Sequence, residues 1–259
     1  MKKSIIAFLS DFGLADEFVG VVKGVILSKN REAQIVDVTH SIPPHDIISG
    51  VLTIERSIKF FPPKTVFLVV IDPGVGGSRK PIAGVSYIDG KKFFFVGPDN
   101  GVLTPFIKNS RKIVILENSK YFLKSVSNTF HARDVFGPVA AYLSKGVQLH
   151  RFGRSISREK LVVLKLPKPN VSGNKICGQI LHIDRFGNLI TNIESKDKVK
   201  YIVFKRRRIS LRKSYDEVDN FSPLVVPGSS STLEISIREG SAERYFKAKR
   251  GDKVTAFKK

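Results

Sequence analysis

Cysteine, methionine and tryptophan are almost absent from this chain of 259 residues, which has one cysteine, one methionine and no tryptophan. The single Cys177 excludes a disulfide within the chain and a zinc site built from several cysteines. No apolar run reaches the roughly 20 residues that a membrane-spanning helix needs. We therefore expect a protein without a disulfide framework and without a membrane partner.

The N-terminal segment "MKKSIIAFLSDFG" has the basic start and short apolar stretch of a signal peptide but lacks its other features. Asp11 interrupts the apolar stretch early, and no cleavage site of small residues follows. We interpret the segment as the first strand of a cytoplasmic protein.

Acidic residues are also few: 23 Asp and Glu stand against 44 Lys and Arg, for a formal net charge of +21. Such an excess is typical of nucleic-acid-binding proteins. It is spread over the chain, however, with 24 basic and 13 acidic residues in 1–165 and 20 and 10 in 166–259. The one dense run is Lys205-Arg206-Arg207-Arg208, and no aromatic residue is interleaved in it. A nucleic-acid partner is therefore an alternative that the sequence does not favour.

The first 166 residues predict an α/β domain with a largely parallel sheet. Apolar strands at "SIIAFLS", "AQIVDVT" and "TVFLVVI" alternate with helical patterns around Val19 to Leu27 and after Asp46, which is expected to cap its helix. A further strand is predicted at "KKFFFVGPDNGVL", and a helix at "DVFGPVAAYLSKG" that ends at Gly146. The run "TVFLVVI" has no polar side, which indicates a strand buried on both faces.

The segment "LPKPNVSGNKICG" is rich in Pro, Gly and Asn and marks a domain boundary near residue 167. After it come short strands with little helix, at "ICGQILHID", "LITNIE", "YIVFKR", "LVVPG", "TLEISI" and "KVTAFK". We therefore predict that residues 167–259 form a small C-terminal β-barrel domain.

Polar or glycine-rich stretches follow four of the N-terminal strands, where ligands of open α/β sheets bind. They are "SDFG" at 10–13, "DVTH" at 37–40, "DPGVGGSR" at 72–79 and "GPDNG" at 97–101. The glycine loop lacks the Lys-Ser/Thr of a P-loop and the spacing of a dinucleotide-binding loop. Each stretch alone is also typical of a turn, but four together indicate a site.

Two further segments carry candidate site residues. In "NTFHARDVFGP", His131 precedes a helix N-terminus, which favours anionic groups. In "HIDRFGNLITNI", Asp184, Phe186 and Asn188 combine an acid, an aromatic ring and an amide, a set that suits a nucleoside, although a bulged barrel strand explains it equally well. No two histidines have the spacing of metal ligands, so no metal is predicted.

These segments, in this order, resemble the motifs of the SAM hydroxide adenosyltransferases, relatives of the SAM-dependent fluorinases and chlorinases. The resemblance rests on "SDFG", "DVTHSIPPHDI", "VVIDPGVGGSR", "GPDNGVL", "TFHARDVFGPVAA" and "IDRFGNLITNI" and covers nearly the whole chain. It implies a catalytic domain at 1–166, a barrel domain at 167–259 and a homotrimer with S-adenosylmethionine (SAM) bound between one subunit's first domain and its neighbour's barrel. The implied reaction is attack of water or hydroxide at C5′ of SAM, which gives adenosine and L-methionine. SAM is then the substrate, and no cofactor is implied.

The resemblance also assigns site residues. The catalytic Asp-Arg-His triad of the family falls on Asp72, Arg79 and His131. The implied substrate contacts are Asp11 for the ribose hydroxyls, Phe130 in the same pocket, Phe186, Asn188 and Tyr215 for adenine, Asp184 for the methionine ammonium, and Ser229, Ser230 or Ser231 for the methionine carboxylate.

The halogenases are the alternative within this group of enzymes. They have a tyrosine where this chain has Asp72, lack a counterpart of His131, and have a small hydroxyl residue at Ala132. They also have a tryptophan where His45 stands. These differences favour water over halide as the nucleophile.

Overall fold

The computed structural model describes residues 4–258, which fall into two compact units that divide after Lys165. The strands of the N-terminal unit are β1 (Ile5–Ser10), β2 (Gln34–Thr39), β3 (Val66–Val70), β4 (Pro81–Ile88), β5 (Lys91–Pro98) and β6 (Ser110–Ile115). Its helices are α1 (Phe18–Lys29), α2 (Ile47–Ser57), α3 (Thr104–Lys108) and α4 (Gly137–Ser144), and a π-helical segment (Ala132–Phe136) leads into α4. Single 3-10 turns lie at Ile58–Phe60, Ser119–Tyr121, Leu149–Arg151 and Arg158–Lys160.

The six strands form one mixed sheet in the order β2-β1-β3-β5-β4-β6. The pairs β1–β2, β1–β3 and β3–β5 are parallel, whereas β4 pairs antiparallel with β5 and β6. The predicted α/β unit is confirmed in this form, and the two strands that the sequence pattern did not reveal, β4 and β6, make the sheet mixed. Asp89 and Gly90, with φ of 49° and 73°, form the two-residue turn that folds β4 against β5.

Strands β1 and β3 are buried on both faces, as the continuous apolar run of β3 predicts. Alternate side chains enter two cores. Phe8 and Leu68 belong to the core that contains residues of α1 and α4, and Leu9 and Val69 to the core that contains residues of α2 and α3. Asp46 caps α2 as expected, because its carboxylate accepts a hydrogen bond of 3.1 Å from the backbone N–H of Ser49.

The C-terminal unit is almost entirely strand. It contains β7 (Asn170–Ser172), β8 (Lys175–Ile183), β9 (Leu189–Glu194), β10 (Val199–Phe204), β11 (Arg207–Ser210), β12 (Pro223–Pro227), β13 (Thr232–Ile237), α5 (Ala242–Phe246) and β14 (Lys253–Lys258), with 3-10 turns at Ser195–Asp197 and Tyr215–Glu217. The antiparallel order is β11-β10-β14-β8-β9-β13-β12, with β7 paired to β8. A bridge between Leu211 and Val225 joins the two ends, so the sheet is a nearly closed, barrel-like structure around one apolar core.

Strand pairing brings aromatic rings to the basic run that lacks them in sequence. Tyr201 of β10 pairs with Phe257 of β14, and their rings stack 4.8 Å apart. Arg208 lies 4.0 Å from the centroid of the Tyr201 ring, and the Lys175 ammonium lies 5.8 Å from that of Phe257. The ring faces thus contact each other and these two cations.

Of the helices between residues 4 and 258, none combines the length and the apolar character that a membrane span requires.

Candidate active site

A cavity of about 240 Å³ opens at the carboxyl ends of β1 and β3. Its lining includes Asp11 after β1, Asp72 after β3, His45 before α2, and Phe130 and His131 before the π-helical segment. Parallel strands end at the same edge of a sheet, and this edge is where polar side chains lie against a cavity in α/β proteins. The fold therefore brings together the candidate residues that the sequence places up to 120 positions apart.

An ion-paired array of Asp72, Arg79 and His131 lies beside this cavity. Arg79 Nε donates to Asp72 Oδ1 at 2.9 Å, and Arg79 Nη2 donates to Asp72 Oδ2 at 2.5 Å. The same Nη2 lies 2.8 Å from His131 Nδ1. The Asp72 and Arg79 side chains are only 6% and 8% exposed. A two-pronged carboxylate–guanidinium contact of this kind holds both groups in one orientation.

The glycine loop between Asp72 and Arg79 has the shape that this array needs. Gly76 has a φ of 75°, and a Cβ at its position would lie 2.2 Å from the backbone oxygen of Asn128. The loop can therefore pack directly against the segment that carries His131 only because this residue has no side chain. The amide of Asn100 donates to the backbone oxygen of Ile71 at 2.8 Å and holds the end of β3 that leads into the loop.

The environment of His131 keeps its imidazole neutral. Burial lowers the pKa of His131 first, the positive charge of Arg79 lowers it further, and Asp72 and Asp134 oppose these effects. Because a guanidinium can only donate, His131 Nδ1 accepts the hydrogen bond from Arg79. The neutral ring then carries its proton on Nε2.

Asp11 is the second carboxylate of the cavity. Its Oδ2 accepts from the backbone N–H of His45 at 2.8 Å, and His45 has a left-handed φ of 66°. Phe130 also lines the cavity and belongs to an aromatic group with Phe12 and Phe18, in which the ring centroids are 5.3 to 5.9 Å apart. Sequence reasoning did not select these last two residues, although Phe12 directly follows Asp11 and Phe18 begins α1.

The segment after Phe130 is held by a buried carboxylate. Asp134 is fully buried and accepts from Arg133 Nε at 2.6 Å and from the backbone N–H of Ser127 at 2.8 Å. Arg133 also lies 5.1 Å from the centroid of the Phe130 ring. These contacts fix the N-terminal end of the π-helical segment, and with it the position of His131.

The candidate residues of the C-terminal unit lie in three places. Asp184, Phe186 and Asn188 share the turn between β8 and β9, where Asp184 Oδ2 accepts from the Asn188 amide at 2.9 Å and Oδ1 accepts from the Phe186 backbone N–H at 2.9 Å. The Phe186 side chain is 78% exposed. The pairing of β8 with β9 contains a register shift between Ile180 and His182, before this turn.

Tyr215 and the serines are not part of that turn. Tyr215 is 42% exposed, and its hydroxyl lies 3.4 Å from Ser236 Oγ. Ser229 and Ser230 lie in the turn between β12 and β13. The C-terminal unit thus groups Asp184, Phe186 and Asn188 in one turn and has Tyr215 and the serines at two other places. Within residues 4–258, no three His, Cys, Asp or Glu side chains are grouped as metal ligands would be.

Comparison with known sequences places the chain in a family. The profile of the SAM hydroxide adenosyltransferase N-terminal domain matches residues 6–153, and that of the C-terminal domain matches residues 178–255. This chain belongs to the SAM hydroxide adenosyltransferase family. The resemblance inferred from the motifs is therefore confirmed.

Individual relatives agree with this family. An (R)-S-adenosyl-L-methionine hydrolase from Thermus thermophilus is 33% identical over 94% of this chain and 96% of its own length. A fluorinase from an Actinoplanes species is 34% identical over 76% of this chain and 74% of its own length. The crystal structure of an uncharacterized conserved protein from Thermotoga maritima has a TM-score of 0.89 at 38% identity, covering 98% of this chain and all of that one.

Proposed function

We propose that this chain hydrolyses S-adenosyl-L-methionine to adenosine and L-methionine, with water or hydroxide attacking C5′. The observation that carries the proposal is the buried array of Asp72, Arg79 and His131 beside a cavity that also contains Asp11. It is supported by hydrolase relatives that match more than nine tenths of the chain.

The reaction requires activation of the nucleophile rather than of the leaving group. In the reaction a C5′–O bond forms while the C5′–S bond breaks, and the sulfonium takes the bonding pair and leaves as neutral methionine. Water, in contrast, is a poor nucleophile until it loses a proton. A site for this reaction therefore needs a base or a cation next to the water, and it has no need of a general acid.

In the proposed mechanism the water lies against Asp72 and His131, the two members of the array that line the cavity. Asp72 accepts the proton, because its carboxylate has lone pairs beyond the two that Arg79 occupies. Arg79 stabilises the developing hydroxide by its charge. His131 Nδ1 accepts from Arg79, so the Nε2–H is the group that donates to the water and orients it.

Substrate binding is proposed to involve both units. Asp11 would hold the ribose hydroxyls, and Phe130 would line the same pocket. Phe186, Asn188 and Tyr215 would contact adenine, Asp184 the methionine ammonium, and Ser229 or Ser230 the carboxylate. The Asn188 amide already donates to Asp184, so a contact from Asn188 to adenine would use its carbonyl oxygen or its second N–H.

The proposed assembly is a homotrimer in a cytoplasmic setting, with each site formed by the N-terminal unit of one subunit and the barrel-like unit of its neighbour. The support is the family resemblance, together with the division of candidate residues between two compact units. A trimer would have three times the 28.9 kDa mass of the chain in light scattering.

The second candidate function is SAM-dependent halogenation, which the fluorinase relatives bring into consideration. Two features favour water over a halide: Asp72 and Arg79 form a buried ion pair, and Ala132 has no hydroxyl group to bind a halide. Nucleic-acid binding is less well supported, because the Tyr201 and Phe257 ring faces already contact each other and two cations.

The experiment is incubation of the purified protein with SAM in buffers with and without chloride, and with EDTA present. We expect adenosine and methionine in equal amounts under all three conditions. If 5′-chloro-5′-deoxyadenosine is the main product in chloride, the chain is a halogenase. If neither product forms and RNA binds tightly with a steep salt dependence, the nucleic-acid alternative takes its place.

A further inference from the structure

The "DVTH" motif contributes no residue to the proposed chemistry, yet its last member contacts the end of β1, directly before Asp11. His40 is only 3% exposed, and its Nδ1 lies 2.7 Å from Ser10 Oγ, which is fully buried. The ring meets Phe8 edge-on at 4.6 Å between centroids. The imidazole is therefore held between β1 and β2, next to the end of β1.

The backbone of His40 makes a second connection to the same turn. Its carbonyl oxygen accepts from the backbone N–H of Gly13 at 2.8 Å. Asp11 thus lies between two residues, Ser10 and Gly13, that are both bonded to His40. Because the turn is tied on each side of Asp11, His40 fixes the backbone from which the carboxylate projects, and the His45 N–H binds the carboxylate itself.

The ring orientation follows from its neighbours. His40 Nε2 approaches Asp37 Oδ1 at 3.1 Å, off the axis of a well-aligned hydrogen bond, and Asp37 Oδ2 accepts from Lys23 at 2.6 Å. Burial lowers the pKa of His40, so the ring is neutral. With the Nε2 proton facing the Asp37 carboxylate, Nδ1 is the acceptor and the Ser10 hydroxyl donates to it.

We propose that His40 is a positioning residue for Asp11: its ring fixes Ser10, its carbonyl fixes Gly13, and the Asp11 carboxylate is thereby held in one orientation in the cavity. This inference rests on the proposed function, in which Asp11 holds the ribose hydroxyls of SAM. Asp37 and Lys23 set the ring orientation from a partly exposed position, so their contribution is smaller.

The cleanest test is Ser10→Ala, because removal of His40 itself would also leave a cavity. We expect KM for SAM to rise about fivefold, the size of one neutral hydrogen bond, with kcat within about twofold of wild type. The same variant is then assayed with the analogue of SAM that lacks the ribose 2′-hydroxyl. The ratio of kcat/KM for SAM to kcat/KM for this analogue is expected to fall by a similar factor, because a misplaced Asp11 binds the 2′-hydroxyl less well.

Ser144→Ala is the matched control. Its hydroxyl contacts Asn30 and the backbone of Ala141 at the end of α4, outside the cavity. We expect this variant to keep both KM and the preference between the two substrates. A merely structural role for Ser10 would change activity on both substrates equally, and an unchanged preference in Ser10→Ala would therefore overturn the inference. Wild-type protein without SAM turnover would instead refute the proposed function, and the role of His40 with it.

Discussion

Replacing Asp72 by asparagine keeps the size of the side chain and removes its charge. In the wild-type array, Arg79 donates to both carboxylate oxygens, at 2.9 Å and 2.5 Å. Asparagine offers one oxygen and one NH₂ group, so one guanidinium N–H would face another donor. The variant therefore loses one hydrogen bond, the neutralising charge and the proposed acceptor of the proton from water.

The expected loss of rate follows from these changes. Removal of a positioned acid–base group lowers turnover by about 10²–10⁴-fold, which corresponds to about 3–5 kcal/mol of transition-state free energy. The dissociation constant of SAM is expected to change by less than tenfold, because the proposed partner of Asp72 is the water.

Stability must be measured alongside activity, because Asp72 and Arg79 are a buried pair. Breaking such a pair by removing one charge costs about 3–5 kcal/mol. The assay is chromatographic measurement of adenosine release, with calorimetric SAM binding and thermal unfolding on the same samples. All rates are compared at a temperature where the variant is folded.

Asp99→Asn is the control for loss of a buried carboxylate near a neighbouring strand end. Asp99 is 4% exposed, accepts from the backbone N–H of Val162 at 2.8 Å, and lies outside the lining of the cavity. We expect it to lose stability but to keep its turnover when folded. If Asp72→Asn turns SAM over at the wild-type rate, Asp72 is only a turn residue and the proposed array has no catalytic role.

Three further predictions concern binding, pH and assembly. Asp11→Ala is expected to weaken SAM binding more than it lowers kcat, because it removes the carboxylate proposed to bind both ribose hydroxyls. Calorimetry together with steady-state kinetics checks this. Turnover is expected to fall when the pH drops below the usual imidazole pKa of about 6.5, because the pKa of His131 is lowered. Protonation of His131 Nδ1 then breaks its hydrogen bond with Arg79. A pH profile of kcat/KM that is flat down to pH 4 would contradict this. Co-expressed Asp72→Ala and Phe186→Ala subunits are expected to regain activity at about a quarter of the sites if each site joins two subunits of a trimer. No recovery in separated mixed trimers would argue against a shared site.

Sequence alone determined the parts of this protein that depend on residues close together in the chain. The apolar run of β3 indicates a strand buried on both faces, and Asp46 three residues before Ser49 indicates a helix cap. Both follow from periodicity and capping, which act over a few residues. The candidate residues Asp72, Arg79 and His131 were also selected from their motifs, through the family resemblance.

Tertiary structure decided what depends on distant segments meeting. The pairing of β4 with β6, in which Ile82 lies opposite Ile115, is of this kind, because the pattern of apolar residues does not record which strand is the neighbour. The proton on His131 Nε2 follows from a contact with Arg79, 52 positions earlier, and the link from His40 to Ser10 spans 30. Such contacts form only when the sheet brings the ends of β1, β2 and β3 to one edge, and their hydrogen-bond geometry is then set by burial and by the few donors and acceptors within reach.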